Sequence, residues 1–435
     1  MTLQHFLYAL VPLADTVMLV TLDQDAMSSV ALSTQVAFVK DLFIFAIMSG
    51  TSMLAAQYWG KNDVGSIEKV FAYALKLTLP IAFIFFIVTF IWPSSVIRIY
   101  SDVPGIIEYG TSYLRIASFS YIFLSLASLE STVMKNVGQV KEATAISIIM
   151  VFMNVGLNGV FIYGLFGFPG MGTAGAALAT TVSAFSGYVM CVAVRLHKRL
   201  IRLRIQNILK TPKDIYSRYN KHTFPVLLNQ IGWGLGFTMI SVIMGHLGTD
   251  AVAANSFVAV VKDLISCFCF ALCTGGSIIV GNELGAGRLE EAKQYGHKLC
   301  MLAFWSGIIA GILILASAPF IVYILKNHND GFTPEAADYL FWMLVMCVYY
   351  MVGRSMNSIV IGGIFVAGGD TKFGFICDTL TMWSFIVPVG AFAAFILDLP
   401  VLAVFFILNL DEIIKLPAVY IHYRKYKWVK NLIDL

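Results

Sequence analysis

Asp15 stands between Leu13-Ala14 and Thr16-Val17-Met18, in an apolar stretch with no basic residue of its own. A charge near the centre of a bilayer costs about 2.5–3.5 kcal/mol on insertion scales, so each ionisable group there needs an account. For Asp15 there are two: it binds and releases a proton, or it stays protonated and ties helices together by hydrogen bonding. Asn154 and Asn158 are four residues apart, which puts both amides on one helix face. They could present acceptors to a cation or to protonated Asp15, or serve only as packing hydrogen bonds. Thr180 and Ser183 share a face by the same rule, in a stretch of small residues that also suits close packing. Glu130 has no basic residue within a turn of its own helix. It is a second proton site, a cavity-lining acid, or a buried hydrogen-bonding one.

The other membrane-depth charges come in groups. Lys40-Asp41 and Lys262-Asp263 are similar pairs, each followed by Leu. Neighbouring side chains diverge on a helix, so each of the four is expected to find its partner on another helix, with Arg354 available to one of the acids. Asp41 and Asp263 would attract an organic cation if they faced a cavity, and would be structural if neutralised. Asp411 and Lys415 are spaced for a pair within one helix, which leaves Glu412 as the freer acid. Asp378 is expected near a span end, in water. Among the 33 Phe, 19 Tyr and 7 Trp, the residues placed by depth to stack on a flat cation are Trp233, Tyr349, Tyr350 and Trp383.

Membrane spans must position these groups. Of 435 residues, 59% are hydrophobic and 12% charged, against roughly 45–50% and 25% in soluble domains. Apolar runs predict twelve transmembrane helices near 4–21, 31–56, 70–92, 111–134, 144–165, 173–195, 223–246, 252–281, 298–324, 338–366, 373–396 and 399–422. The opening MTLQHFLYAL has neither the basic n-region nor the cleavage site of a signal peptide. On this count 21 of the 29 basic residues fall on one set of alternate connections, and only Arg98 and Lys326 on the other. Both termini are therefore expected on the cytoplasmic side of the cell membrane. Nine positive charges in Arg195–Lys221 face only Asp214. This basic stretch reads as a cytoplasmic linker on anionic membrane lipid rather than a nucleic-acid site. Seven cysteines lie in apolar runs without a CxxC pair, so they read as packing residues, with no metal site.

The chain also repeats itself. Gln24-Asp25-Ala26 matches Thr249-Asp250-Ala251 at an offset of 225, as Gly50-x-Ser52 matches Gly275-x-Ser277. Gly138-x-x-Lys141 matches Gly369-x-x-Lys372 at 231. Each unit holds six spans, an even number, so the two lobes share one orientation and relate by an axis along the membrane normal. The expected organisation is an amino-terminal six-helix lobe (1–196), a linker (197–221) and a carboxy-terminal six-helix lobe (222–435). A duplicated bundle of this kind suits alternating access. No nucleotide loop, metalloprotease motif or nucleophile elbow appears, so the chain reads as a transporter and not an enzyme. No filter-like loop favours a channel, and the duplicated bundles count against a membrane receptor.

Several segments, taken in order, resemble the multidrug and toxic compound extrusion (MATE) family, within the superfamily that includes polysaccharide and lipid flippases. They are Leu13-Ala14-Asp15-Thr16, Asp25-Ala26, Gln57-x-x-Gly60, the Phe168–Thr180 segment, Asn282-Glu283-Leu284-Gly285-Ala286-Gly287 and Ala367–Lys372. The resemblance implies an antiporter that exchanges H⁺, or alternatively Na⁺, for a cationic, aromatic compound, with no other cofactor. It implies coupling at Asp15 with polar residues of spans 5 and 6, here Asn154, Asn158, Thr180, Thr181 and Ser183. Some relatives carry a Glu in span 7, where this chain offers Asn229 and Gln230 and has no acid between Asp214 and Asp250. The alternative is a flippase or exporter of a lipid-linked or other specific substrate. The surplus of intramembrane acids over bases makes an anionic cargo the less natural one. One chain holds both lobes, so a monomer is expected to suffice.

Overall fold

The computed structural model describes residues 2–20, 24–328 and 332–434, and is all-helical over them. The span helices are α1 (Thr2–Val20), α2 (Gln24–Gly60), α3 (Val64–Ile91), α4 (Pro104–Asn136), α5 (Val140–Tyr163) and α6 (Thr173–Lys198), followed by α7 (Lys213–Gly245), α8 (Thr249–Gly285) and α9 (Leu289–His328). Next come α10 (Pro334–Phe365) and α11 (Thr371–Phe395). The last span, α12, is a broken helix in three pieces, Val401–Leu408, Asp411–Ile414 and Leu416–Arg424. Ten of these helices, α2 to α11, are long and apolar enough to cross a membrane on length and composition alone. The side chains of Leu13, Ala14 and Thr16 lie outside the described residues.

Local chemistry sets several helix ends. The Asp63 carboxylate accepts from the Ser66 backbone N–H at 3.0 Å and starts α3. Thr333 caps α10 through Ala336 N–H at 3.0 Å, with Pro334 at the first helical position. Helices outrun the expected apolar runs. α7 begins ten residues early, at Lys213, because a helix continues through polar flanks that a hydropathy reading counts as linker. Pro388 and Gly390 are residue types that interrupt a helix. Even so, α11 stays continuous to Phe395, and a wide π-type turn over Thr381–Ile386 precedes the proline.

The chain forms two compact units, Leu3–Thr223 and Phe224–Leu435. In the amino lobe, α6 packs against α4 and α5 through small residues. A Cβ on Gly175 would stand 2.4 Å from Phe161 O, and one on Gly187 would stand 2.1 Å from Met150 Sδ. Close approach of this kind replaces the hydrophobic drive that lipid does not supply. The basic linker belongs to this lobe by packing: Glu68 accepts from Arg202 N–H at 2.7 Å and lies 3.6 Å from Arg204 Nε.

In the carboxy lobe, α7 to α12 enclose a core that includes Met343, Leu344, Cys347, Ile386 and Phe405. A second cluster buries Trp428 with Tyr423 and Phe365, which docks the end of the chain beneath α10. Gly353 of α10 lies against the break in α12, where a Cβ would stand 2.9 Å from both Cβ and O of Glu412. Gly353→Ala should therefore destabilise the lobe by about 1–3 kcal/mol through overpacking. Gly156→Ala, at a position with nothing within 4 Å of the added Cβ, serves as control. Unfolding temperatures in detergent measure the difference, and equal values would disprove the close contact.

Candidate functional site

The amino-lobe site joins three helices. Asp15 of α1 is 8% exposed, and Asn154 and Asn158 of α5 are buried beside it. Asn158 Nδ2 donates to Asp15 Oδ1 at 2.5 Å and lies 3.5 Å from Asn154 Oδ1. Asn154 Nδ2 in turn donates to Thr180 Oγ1 at 3.1 Å, and the Thr180 hydroxyl donates to Ala176 O at 3.0 Å. Of the residues expected at the coupling site, Asp15, Asn154, Asn158 and Thr180 thus form one hydrogen-bonded row, while Thr181 donates instead to Ile116 O and Ala177 O. The close seating of α6 on α5 is what brings Thr180 within reach of Asn154. Asn158 Oδ1 is buried with no hydrogen-bond partner among the described residues. A primary amide carries donor and acceptor on one planar group, so a half-turn would present that oxygen to a protonated carboxyl.

Glu130 does not join this row. Both its oxygens accept from Arg195 Nε of α6 at 3.1 Å, and the guanidinium lies 5.7 Å from the Phe71 ring. Reading one helix at a time missed this partner, since Arg195 lies 65 residues away. Ser183 bonds within its own helix, to Thr180 O.

Lys40 and Asp41 were expected to look to other helices, and they pair with each other instead, at 2.5 Å. The long lysine arm closes a gap that the Cβ directions leave open. Lys40 is buried, while the Asp41 side chain is 62% exposed. The second pair behaves differently. Lys262 Nζ donates to Asn409 Oδ1 at 2.8 Å and lies 3.8 Å from the Tyr350 ring centroid. That leaves Asp263 exposed, its carboxylate without a hydrogen bond or ion pair among the described residues.

The break in α12 centres a charge cluster. Glu412, expected to be the freer acid, accepts from Arg354 NH1 at 3.1 Å and lies 3.2 Å from Lys415 Nζ. Asn357 Nδ2 donates to its carboxylate at 2.8 Å and to its backbone oxygen at 2.7 Å. Lys415 also reaches Asp378 Oδ1 at 2.8 Å, and Asn229 Nδ2 donates to the other Asp378 oxygen at 2.9 Å. Asp378 is therefore bound inside the lobe and not set in water. Asp411 was assigned to the in-helix pair with Lys415. It is 7% exposed, has no hydrogen bond among the described residues, and lines a cavity of about one water molecule with Trp233, Asp378 and Thr379. The roles of the two acids are exchanged because α12 is not one continuous helix, so spacing along it does not predict facing.

Of the aromatic candidates, Trp233 stacks on Phe237 at 5.7 Å with the Arg354 guanidinium 5.8 Å from its ring. Trp383 Nε1 donates to Gly232 O at 3.1 Å, one residue from Trp233. Tyr350 carries the Lys262 ammonium on its face, and Tyr349 donates to Phe406 O at 3.2 Å. Tyr350, Trp233 and Trp383 thus border the cluster, whereas Tyr349 is tied to the first piece of α12.

Known proteins of similar sequence and structure are transporters. The chain is 21% identical to "Uncharacterized transporter YisQ" of Bacillus subtilis over 98% of its own length and 92% of that protein. It is 24% identical to "Probable multidrug resistance protein YoeA" of the same organism, over 94% and 88%. A crystal structure of a MATE protein in complex with MaL6 superposes with a TM-score of 0.89 at 16% identity, covering 100% of this chain and 95% of that one. The MatE family model matches residues 1–160 and 225–414, hence both lobes and the site row as far as Asn158. The chain therefore belongs to the MatE family of multidrug and toxic compound extrusion transporters.

Proposed function

We propose that this transporter is an antiporter that exports cationic aromatic compounds in exchange for protons, with Asp15 as the group that carries the coupling proton. One observation carries the reading. The amino lobe has three buried acids among its described residues, Asp15, Glu68 and Glu130. Glu68 faces Arg204 and Glu130 faces Arg195, whereas the partner of Asp15 is the neutral amide of Asn158. A carboxylate held by a guanidinium loses its partner's attraction on protonation. One held by an amide exchanges one hydrogen bond for another.

The cycle follows from that difference. A proton arriving from outside neutralises Asp15, the Asn158 amide turns its oxygen to the new O–H, and Asn154 and Thr180 hold α5 and α6 in register while it does so. Loss of one negative charge weakens the hold on a cationic compound and favours its release outward. Return of the proton to the cytoplasm restores the carboxylate.

On the substrate side, the exposed carboxylate of Asp263 suits a cation, as do the aromatic faces of Trp233 and Trp383, whereas Asp41 is already neutralised by Lys40. Glu412 is taken up by its ion pairs, and Asp411 is the acid of that pair with a free face. The relatives named for multidrug resistance support a xenobiotic cargo, and the MatE family match over both lobes does not favour the flippase alternative.

Ethidium efflux from proteoliposomes under separate pH and Na⁺ gradients tests the proposal. A pH gradient should drive flux, and Asp15→Asn should lower that flux at least about ten-fold, the loss of roughly 1.4 kcal/mol of coupling or more, with an unchanged unfolding temperature. Full activity of the variant would remove Asp15 from the mechanism, and flux under Na⁺ alone would replace the proton. Glu412→Gln should behave oppositely. It leaves Arg354 and Lys415 short of a buried partner, at a cost on the order of 3–5 kcal/mol, read as a large fall in unfolding temperature. A stable, transport-deficient Glu412→Gln protein would place that acid in the transport step.

A further inference from the structure

A groove of about 700 Å³ opens on the amino lobe between α3 and the linker, on the side that the charge asymmetry assigns to the cytoplasm. The groove is lined by Tyr73 and Lys76 of α3, Lys210 of the linker, and Tyr216 and Asn220 at the start of α7, with Leu209 at its lip. We propose that it binds the headgroup of an anionic phospholipid from the inner leaflet. This site lies apart from the coupling row and does not depend on what the transporter carries.

The charge argument is direct. Lys76 and Lys210 come from elements more than 130 residues apart, both are exposed, and neither has an ion-pair partner among the described residues. Three basic side chains nearby are answered by carboxylates: Arg195 by Glu130, Lys198 by Glu142 at 3.0 Å, and Arg204 by Glu68. Two unanswered ammonium groups over one groove suit a phosphodiester.

The floor is rigid and polar. The Tyr73 hydroxyl and the Asn220 amide exchange hydrogen bonds at 2.9 and 3.1 Å. The Tyr216 ring meets Tyr73 edge-on at 5.6 Å, with its own side chain 52% exposed. A phenol of this kind is amphipathic, with a ring for the acyl region and a hydroxyl for the headgroup.

Depth separates a lipid from a soluble anion. Lys76 lies fifteen residues before Ile91, the last residue of α3, or about 22 Å along the axis. The hydrocarbon core is ~30 Å thick, and helix side chains lean toward the amino terminus, here the cytoplasmic end. The Lys76 ammonium is thereby carried toward the boundary between acyl chains and headgroups. Leu209, 71% exposed at the lip, offers an apolar contact that free phosphate would not use.

The test is native mass spectrometry of the full-length protein, purified in detergent and incubated with phosphatidylglycerol or phosphatidylcholine. The protein should retain phosphatidylglycerol in preference to phosphatidylcholine. Lys76→Gln and Lys210→Gln together should cut that retention at least about five-fold, the weight of one lysine at an anionic surface. Lys427→Gln, at an exposed position in the other lobe, should leave it unchanged, as should millimolar inorganic phosphate. Unaltered retention in the double variant would overturn the proposal. So would displacement of the lipid by phosphate, which would make the groove a site for a soluble anion.

Discussion

A charge buried between apolar helices must be answered by another group, because no water is present to solvate it. This constraint orders most of the polar interior here. Glu130 is answered by Arg195, Glu412 by Arg354 and Lys415, Asp378 by Lys415 and Asn229, and Lys262 by Asn409 and the Tyr350 face. Each partnership crosses between helices or spans the break in α12, so the pairs fasten the spans to one another as they neutralise the charge. Asp15 is the departure from the pattern in the amino lobe. Its answer is a neutral amide, which can serve the carboxylate and the carboxylic acid alike.

The two lobes use the same physics for different ends. In the amino lobe, small residues on α6 bring backbones close and set a short row of neutral polar groups around one acid. In the carboxy lobe, Gly353 admits the broken segment of α12 against α10, and the gap in the helix is filled by a dense mixture of opposite charges. Non-helical backbone at membrane depth is tolerated where it lies inside protein, and here the side chains of Asn357 and Asn409 help to occupy it. The π-type turns in α10 and α11 fall on the helices that flank the break. Such turns are frequent where a helix serves more than regular packing.

The segment between the lobes is equally constrained. Arg195, Lys198 and Arg204 are tied to the amino lobe through Glu130, Glu142 and Glu68, while Lys210 of this segment and Lys76 of α3 line one outward groove together. A membrane protein presents such a surface at the depth where headgroup phosphates lie, so the linker is part of the protein's contact with lipid as well as a connection.

What the sequence by itself determined follows from composition and from period. The density of apolar residues requires membrane spans, the alternation of basic connections orders them, and a register near 225 divides them into two similar sets. The four-residue spacing of Asn154 and Asn158 set both amides on one face, and an acid without local cations marked Asp15. All of these are properties of one helix or of its order in the chain. Partnership between helices was decided only in the tertiary structure. Glu130 and Arg195 are 65 residues apart, Arg354 and Glu412 58, and no local pattern couples them. Lys40 could reach its neighbour because a flexible arm overrides the direction of its Cβ. Asp411 and Glu412 exchanged their expected roles because i,i+4 reasoning presumes a continuous helix, and the helix breaks beside them. Spacing predicts facing only while the backbone stays regular, and in this protein the backbone departs from regularity where the charges are densest.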